Sequence, residues 1–209
     1  KYPVEAPFSY AIIYIDKETR DYNYYSIEPA LMGREKQVFQ FIVQTIAKIM
    51  RYDPKIVRSQ KLLKRYLERQ VEEIIEDMSI TLPPGGKERL LYFLLRDYIG
   101  YGKFQILMDD DNLEDISCDG VKDEHGNPIH IFVYHKKLEQ IRTNIYFDTS
   151  VELDGFVVSL AQRCGRYISI ADPLLDTTMP DGSRVNMTYG NEITTRGSTI
   201  SIRKFNANP

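Results

Sequence analysis

The sequence predicts an α+β fold: an N-terminal β-hairpin and helical lobe, then a mixed α/β lobe with a mainly antiparallel sheet and one flanking helix. Three observations predict it. Two aromatic and β-branched runs, residues 10–15 and 22–27, flank a charged turn. Three stretches of helical periodicity follow between residues 33 and 99. Beyond residue 105, short strand-like runs broken by Gly and Pro surround one capped helix. With 209 residues, 43% apolar and 27% charged, the chain can bury a core as one large domain or two small ones.

The hairpin reads Tyr10-Ala-Ile-Ile-Tyr-Ile15 and Tyr22-Asn-Tyr-Tyr-Ser-Ile27, and Pro29 ends it. The first helix is expected over about 33–51, stopping before Pro54, which disfavours a helical residue ahead of it. The second covers about 55–78, and the third about 86–99, after the breaker Pro83-Pro84-Gly85-Gly86. Leu63, Leu67, Val71, Ile74 and Met78 form a core-facing stripe on the second helix. Arg58, Lys61, Arg65 and Arg69 form a basic stripe at the same period. That stripe is either a solvated face, with Arg69 supported by Glu72 and Glu73, or a docking face for an acidic partner or an anionic lipid surface. Charge and composition shift near Gly100-Tyr101-Gly102: residues 1–105 carry net +3 and residues 106–209 net −6. The expected lobes are residues 1–100 and 101–209.

In the second lobe, strands are expected at about 113–117, 129–134, 140–147, 184–189 and 198–205. The helix starts at Thr149 with Glu152 in capping-box spacing and stops at Gly165. Cys118 and Cys164 read as buried thiols in a reducing compartment, not a disulfide framework. Lys1-Tyr2-Pro3 lacks an initiator Met and a signal core, so the chain reads as a cytosolic fragment of something longer.

A net charge of −3 excludes a strongly basic nucleic-acid binder by bulk charge, and no aromatic-plus-basic stacking platform is evident. No G-x-x-x-x-G-K-[ST] loop and no G-x-S-x-G elbow occurs. His125, His130 and His135 lack cysteines at zinc-ligand spacing, so no metal is expected. Asp109-Asp110-Asp111 reads as a solvated turn or helix cap. From residue 160 onward there are five arginines, Arg163, Arg166, Arg184, Arg196 and Arg203, against the single lysine Lys204. Arginine's planar fork fits phosphate or carboxylate oxygens bidentately. Alternation puts Arg184, Asn186 and Thr188 on one strand face and Thr199, Ser201 and Arg203 on another. If the two strands are neighbours, both arginines share a polar face and want an anion or a carboxylate; Asp172, Asp176 and Asp181 are the candidate carboxylates.

The run Asp172-Pro-Leu-Leu-Asp-Thr-Thr-Met-Pro-Asp-Gly-Ser-Arg-Val185 resembles a signature of the type II/type IV secretion-system ATPase superfamily. So does Ile193-Thr-Thr-Arg-Gly-Ser-Thr-Ile-Ser-Ile-Arg-Lys-Phe205. Tyr24-Tyr25-Ser-Ile-Glu-Pro29, Tyr98-Ile-Gly-Tyr-Gly102 and Leu113-Glu-Asp-Ile116 before Asp119-Gly120 fit as well. The wording is closest to the archaeal branch, with its archaellum motor and pilus-assembly ATPases. The resemblance implies the N-terminal domain of a homo-hexameric ring ATPase, cytoplasmic and peripheral at the inner face of the cell membrane. A RecA-like C-terminal ATPase domain would follow, with ATP and Mg bound in the cleft between the two. The fragment would then be inactive alone and bind neither. Arg184 and Arg203, with Arg196 as a third, are implied to contact the nucleotide phosphates; Arg163 and Arg166 are weaker candidates. Implied partners are the chain's own ATPase domain, neighbouring subunits and a membrane platform protein, with no nucleic acid. The competing class is a non-catalytic docking module whose arginines are structural.

Overall fold

The computed structural model describes residues 1–49 and 59–205. They fall into two compact units: residues 28–105, and residues 1–27 together with 106–209.

The 28–105 unit holds α1 (Arg34–Ile49), α2 (Gln60–Asp77) and α3 (Gly86–Tyr98). Each helix contributes one apolar stripe to a shared core: Val38, Ile42 and Ile46 from α1, Leu67, Val71 and Ile74 from α2, and Leu90 and Leu94 from α3. Burying each such side chain stabilises the unit by about 1.5–3 kcal/mol relative to leaving it exposed. Leu63 is partly buried against this core, whereas Met78, the C-cap of α2, is exposed. The stripe therefore ends one turn before sequence periodicity places it. Ser59 caps α2 by accepting the Leu62 amide, and the expected start at 55 lies outside the described residues. The expected stop before Pro54 lies outside the described residues. Ion pairs on α3 tie it to the segments before it. Arg89 pairs with the nearly buried Glu35, and its hydrogen bond holds that carboxyl below the usual range. Arg96 forks onto both Glu28 oxygens at 3.1 Å, and Tyr92 donates to the same carboxylate at 2.6 Å.

Among the described residues the second unit has nine strands: β1 (Tyr2–Glu5), β2 (Ser9–Ile15), β3 (Tyr22–Ile27), β4 (Leu113–Cys118), β5 (His130–His135), β6 (Glu139–Tyr146), β7 (Leu174–Thr178), β8 (Arg184–Thr188) and β9 (Thr199–Arg203). They form one sheet in the order β1-β2-β3-β6-β5-β4-β9-β8-β7. β3 and β6 run parallel; the other neighbours run antiparallel. Together with five α-helices among the described residues, this is the predicted α+β class. The structure draws the lobe boundary differently, however. Sequence adjacency grouped the hairpin with the helices, but β3 pairs with β6 at Asn23–Arg142 and Tyr24–Thr143. The Ser26 amide and hydroxyl then both donate to Asn144.

Strand alternation gives the sheet two faces. Val185, Ile202, Ile116, Val133 and Ile141 sit in register across five strands and are all buried. Two further helices belong to this part of the chain, the short α4 (Gln105–Asp109) and α5 (Ser150–Arg163). Thr149 caps α5 by accepting the Glu152 amide at 3.2 Å, and Glu152 reaches back to the Asp148 amide at 3.0 Å. The helix buries Leu153, Val157, Leu160 and Ala161, and its Phe156 ring meets Phe147 at 5.5 Å. Cys118 is buried and Cys164 half-buried, both free; burial pushes the Cys118 thiol up to about 12.

Asp110 corrects the solvated-turn expectation. It is 2% exposed and accepts from the Tyr2 and Tyr24 hydroxyls at 2.6 and 2.9 Å and from Asn112. The Lys204 ammonium donates to the carbonyls of Asp110 and Leu107 at 2.6 and 3.0 Å.

His135 is 6% exposed, and its Nδ1 accepts the Lys137 amide at 3.1 Å. Protonation would turn that acceptor into a donor facing another donor. Burial and the Lys137 charge outweigh Asp110 and hold the imidazole below its usual 6.5. A base whose folded value is lowered keeps its stability above the unfolded value and loses it as pH falls. The unfolding free energy from urea titration is therefore expected to drop between about pH 7 and about pH 5, and His135→Gln to flatten that drop. Equal slopes in the two proteins would contradict the assignment.

Candidate functional site

Arg184 opens β8 and Arg203 closes β9, and the two are direct cross-strand partners. Buried Val185 and Ile202, their neighbours in sequence, fix the strand parity, so both guanidiniums leave the sheet on the opposite, solvated face. The shared polar face expected from the sequence is therefore present. Like charges directly opposite one another destabilise a sheet. Two carboxylates relieve them: Asp176 lies 3.6 Å from Arg184, and Asp115 accepts from Arg203 Nε at 3.0 Å. Asp176 is one of the three carboxylates foreseen. Asp181 instead accepts from Ser183, and Asp115 could not be foreseen because β4 and β9 are far apart in sequence. The Asp115 hydrogen bond raises the already high guanidinium pKa of Arg203 further. Both arginine side chains remain more than two-thirds exposed, at 72% and 78%. Exposed pairs of this kind are weak and easily exchanged for a better anion.

Arg196 does not join this pair. It lies in the loop before β9, so the whole strand, at about 3.3 Å per residue, separates it from Arg203. Its carbonyl accepts the Val121 amide at 3.2 Å, and it lines a cleft of about 400 Å3 with Lys122, Thr149 and Asn191. Arg163 and Arg166 stand at the C-terminal end of α5, where cations complement the helix dipole. The Arg166 amide bonds Ala161 at 2.9 Å as part of the turn through Gly165, whose φ is +67°. Among the described residues Arg184 and Arg203 pair with Asp176 and Asp115, and no hydrogen bond or ion pair joins Arg166 to either.

Of the basic stripe on α2, Arg58 lies outside the described residues. Lys61 and Arg65 are exposed, and Arg69 pairs with Glu73 at 2.7 Å. Lys87 pairs with Glu72, also at 2.7 Å, across a depression of about 450 Å3. On this mixed-charge face acids partner Arg69 and Lys87. Among the described residues, no helix is long and apolar enough to cross a membrane.

No protein-family model matches the chain. It is similar to the uncharacterized protein MJ1288 of Methanocaldococcus jannaschii, 41% identical over 182 residues that cover 87% of this chain and 69% of that protein. It is also similar to the uncharacterized protein MJ0900 of the same organism, 32% identical over 98% of this chain but 39% of that protein. A third relative there, MJ0781, is 38% identical over 52% of this chain and 14% of its own length. Among solved structures it is similar to the VirB11 ATPase from the Brucella suis type IV secretion system in complex with sulphate. That overlap covers 50% of this chain and 29% of the other, with a TM-score of 0.41 and 14% identity, and it establishes neither fold nor function.

Gly120 holds the Arg196 loop in place. Its φ is +111°, and a Cβ there would stand 2.3 Å from the Arg196 carbonyl oxygen. Gly120→Ala is expected to cost about 1–3 kcal/mol of stability. Gly155, an exposed position inside α5 with open space around it, gives the opposite sign: Gly155→Ala is expected to add about 0.5–1 kcal/mol. Urea unfolding of both variants checks the pair, and a neutral Gly120→Ala would remove the constraint.

Proposed function

The chain belongs to the family of the uncharacterized protein MJ1288 of Methanocaldococcus jannaschii, and we propose that it acts as the N-terminal domain of a hexameric secretion-type ATPase. The observation that carries the reading is the opposed Arg184–Arg203 pair on a solvated sheet face, within the two stretches that resemble that superfamily. In this reading the pair receives the phosphates of ATP, displacing Asp176 and Asp115. Phosphoryl transfer is helped mainly by positioning and by neutralising charge on phosphate oxygens. ATP presents more negative charge than ADP, so closure of the domain over nucleotide is favoured before hydrolysis and relaxed after it. The phosphate loop and the Mg site would lie outside these 209 residues, in a RecA-like domain of the full-length protein. Arg196, at the far end of β9, serves a separate contact in this reading, and Arg163 and Arg166 finish a helix. Neighbouring subunits of the ring, and a membrane platform protein met through Lys61, Arg65 and Arg69, are the proposed partners. The machine would work at the cytoplasmic face of a membrane and assemble an archaellum or pilus or move a protein cargo.

One observation favours a second reading, a non-catalytic docking module. The matched stretch makes up most of MJ1288, leaving under a third of that protein for any further domain, whereas MJ0900 and MJ0781 are mostly unmatched chain. One experiment separates the readings. Arg203→Ala or Arg184→Ala in the full-length protein is expected to lower ATP turnover by about 10²-fold, the scale of one lost charge-stabilising donor. The melting temperature should hold, since both side chains are solvated. Wild-type turnover in both variants would sink the phosphate role. A full-length protein that never hydrolyses ATP would leave the docking module.

A further inference from the structure

The arginine pair is the end of a longer row. Arg184 faces Arg203, Arg203 faces Asp115, Asp115 faces Tyr134, and Tyr134 faces Gln140. The five residues lie on five adjacent strands at about 4.8 Å per step. Their sequence neighbours Val185, Ile202, Ile116, Val133 and Ile141 are all buried, so every member of the row leaves the sheet on the same side. Tyr134 is 40% exposed and Asp115 37% exposed at its side chain.

The chemistry changes in order along the row: two guanidiniums, a carboxylate, an aromatic ring, an amide. Anionic groups are drawn to one end only, because Asp115 repels them from the rest. In the free protein Arg203 holds Oδ1 of that carboxylate; once phosphates take the guanidinium, the released Asp115 can accept from a hydroxyl beside them. The uncharged ring next to it offers a π-face, and Gln140 beyond it offers both a donor and an acceptor. A nucleoside polyphosphate carries matching groups in the same order: phosphates, a ribose diol, and a flat base with polar edges.

We propose that Tyr134 is a base-stacking residue, and Asp115 a ribose acceptor, for a nucleoside polyphosphate whose phosphates lie on Arg184 and Arg203. This rests on the phosphate reading of the arginine pair and extends it to what the far end of the ligand must be. Inorganic polyphosphate would leave Tyr134 and Gln140 unused. A single strand of nucleic acid carries a phosphate at every nucleotide and would have to pass over Asp115 or Asp176. The platform is invisible along the chain because its members come from four separate stretches of sequence.

Titration calorimetry on the full-length protein tests the row, with ATP and inorganic tripolyphosphate as separate probes. Tyr134→Ala is expected to weaken ATP binding by about 5- to 150-fold, the range of one lost base stack, and to leave tripolyphosphate binding unchanged. Tyr134→Phe keeps the ring and should bind ATP like the wild type. An equal effect of Tyr134→Ala on both probes, or no effect on either, overturns the stacking role. So does Tyr134→Ala losing affinity for a single-stranded oligonucleotide while ATP binding holds. Arg203→Ala reports separately on the phosphates: it should weaken both probes, and if it weakens neither, the reading on which the row rests fails instead.

Discussion

Buried Asp110 joins the first strands of the chain, through its carboxylate, to the residue just after the last strand, through its backbone carbonyl. Tyr2 on β1 and Tyr24 on β3 both donate to one of its oxygens, and Asn112 satisfies the other. Burial and the neighbouring charge push both phenols far up, so they stay neutral donors. On the same residue the backbone carbonyl takes the Lys204 ammonium, whose pKa burial lowers against the pull of the three aspartates around it. A buried carboxylate or ammonium without partners would cost several kcal/mol, so this arrangement tolerates little displacement. Lys204 follows Arg203 directly. Its anchoring fixes where β9 ends, and with it the register that sets Arg203 against Arg184 on one side and Asp115 on the other.

That register makes the solvated face of the sheet chemically directional. Two like charges sit opposite each other at one end, balanced by carboxylates that bind weakly because water screens them. A multiply charged, bidentate anion can replace both carboxylates at once, which no single surface aspartate can do. The inner face has no such freedom. Its row of Val185, Ile202, Ile116, Val133 and Ile141 is packed, and truncating one to Ala in such a core costs about 2–5 kcal/mol. Stability is therefore placed on one face and exchangeable charge on the other, on the same five strands.

The sequence made the parity of the arginines legible because alternation is local: Arg184-Val-Asn-Met-Thr and Thr-Ile-Ser-Ile-Arg203 state their own faces. The α5 cap, the α2 stripe and the Gly165 stop are local in the same sense. What could not be read depends on pairing between distant segments. Asp115 meets Arg203 because β4 neighbours β9, and the hairpin enters the sheet through the parallel β3–β6 pairing. β7 was missed because Leu174-Leu-Asp-Thr-Thr178 is a short edge strand between Pro173 and Pro180. Asp110 looked solvated because a run of three aspartates carries no sign of the two tyrosines that bury it.

The phosphate role of the arginine pair is tested most directly at the guanidiniums themselves. The Nε–H resonances of isotope-labelled full-length protein would be recorded with and without ATP. The Arg184 and Arg203 signals should move together on adding ATP, with Arg203 losing the signature of its Asp115 hydrogen bond, while Arg89 and Arg96, held in their ion pairs, stay still. ATP binding that leaves Arg184 and Arg203 unmoved would contradict the account.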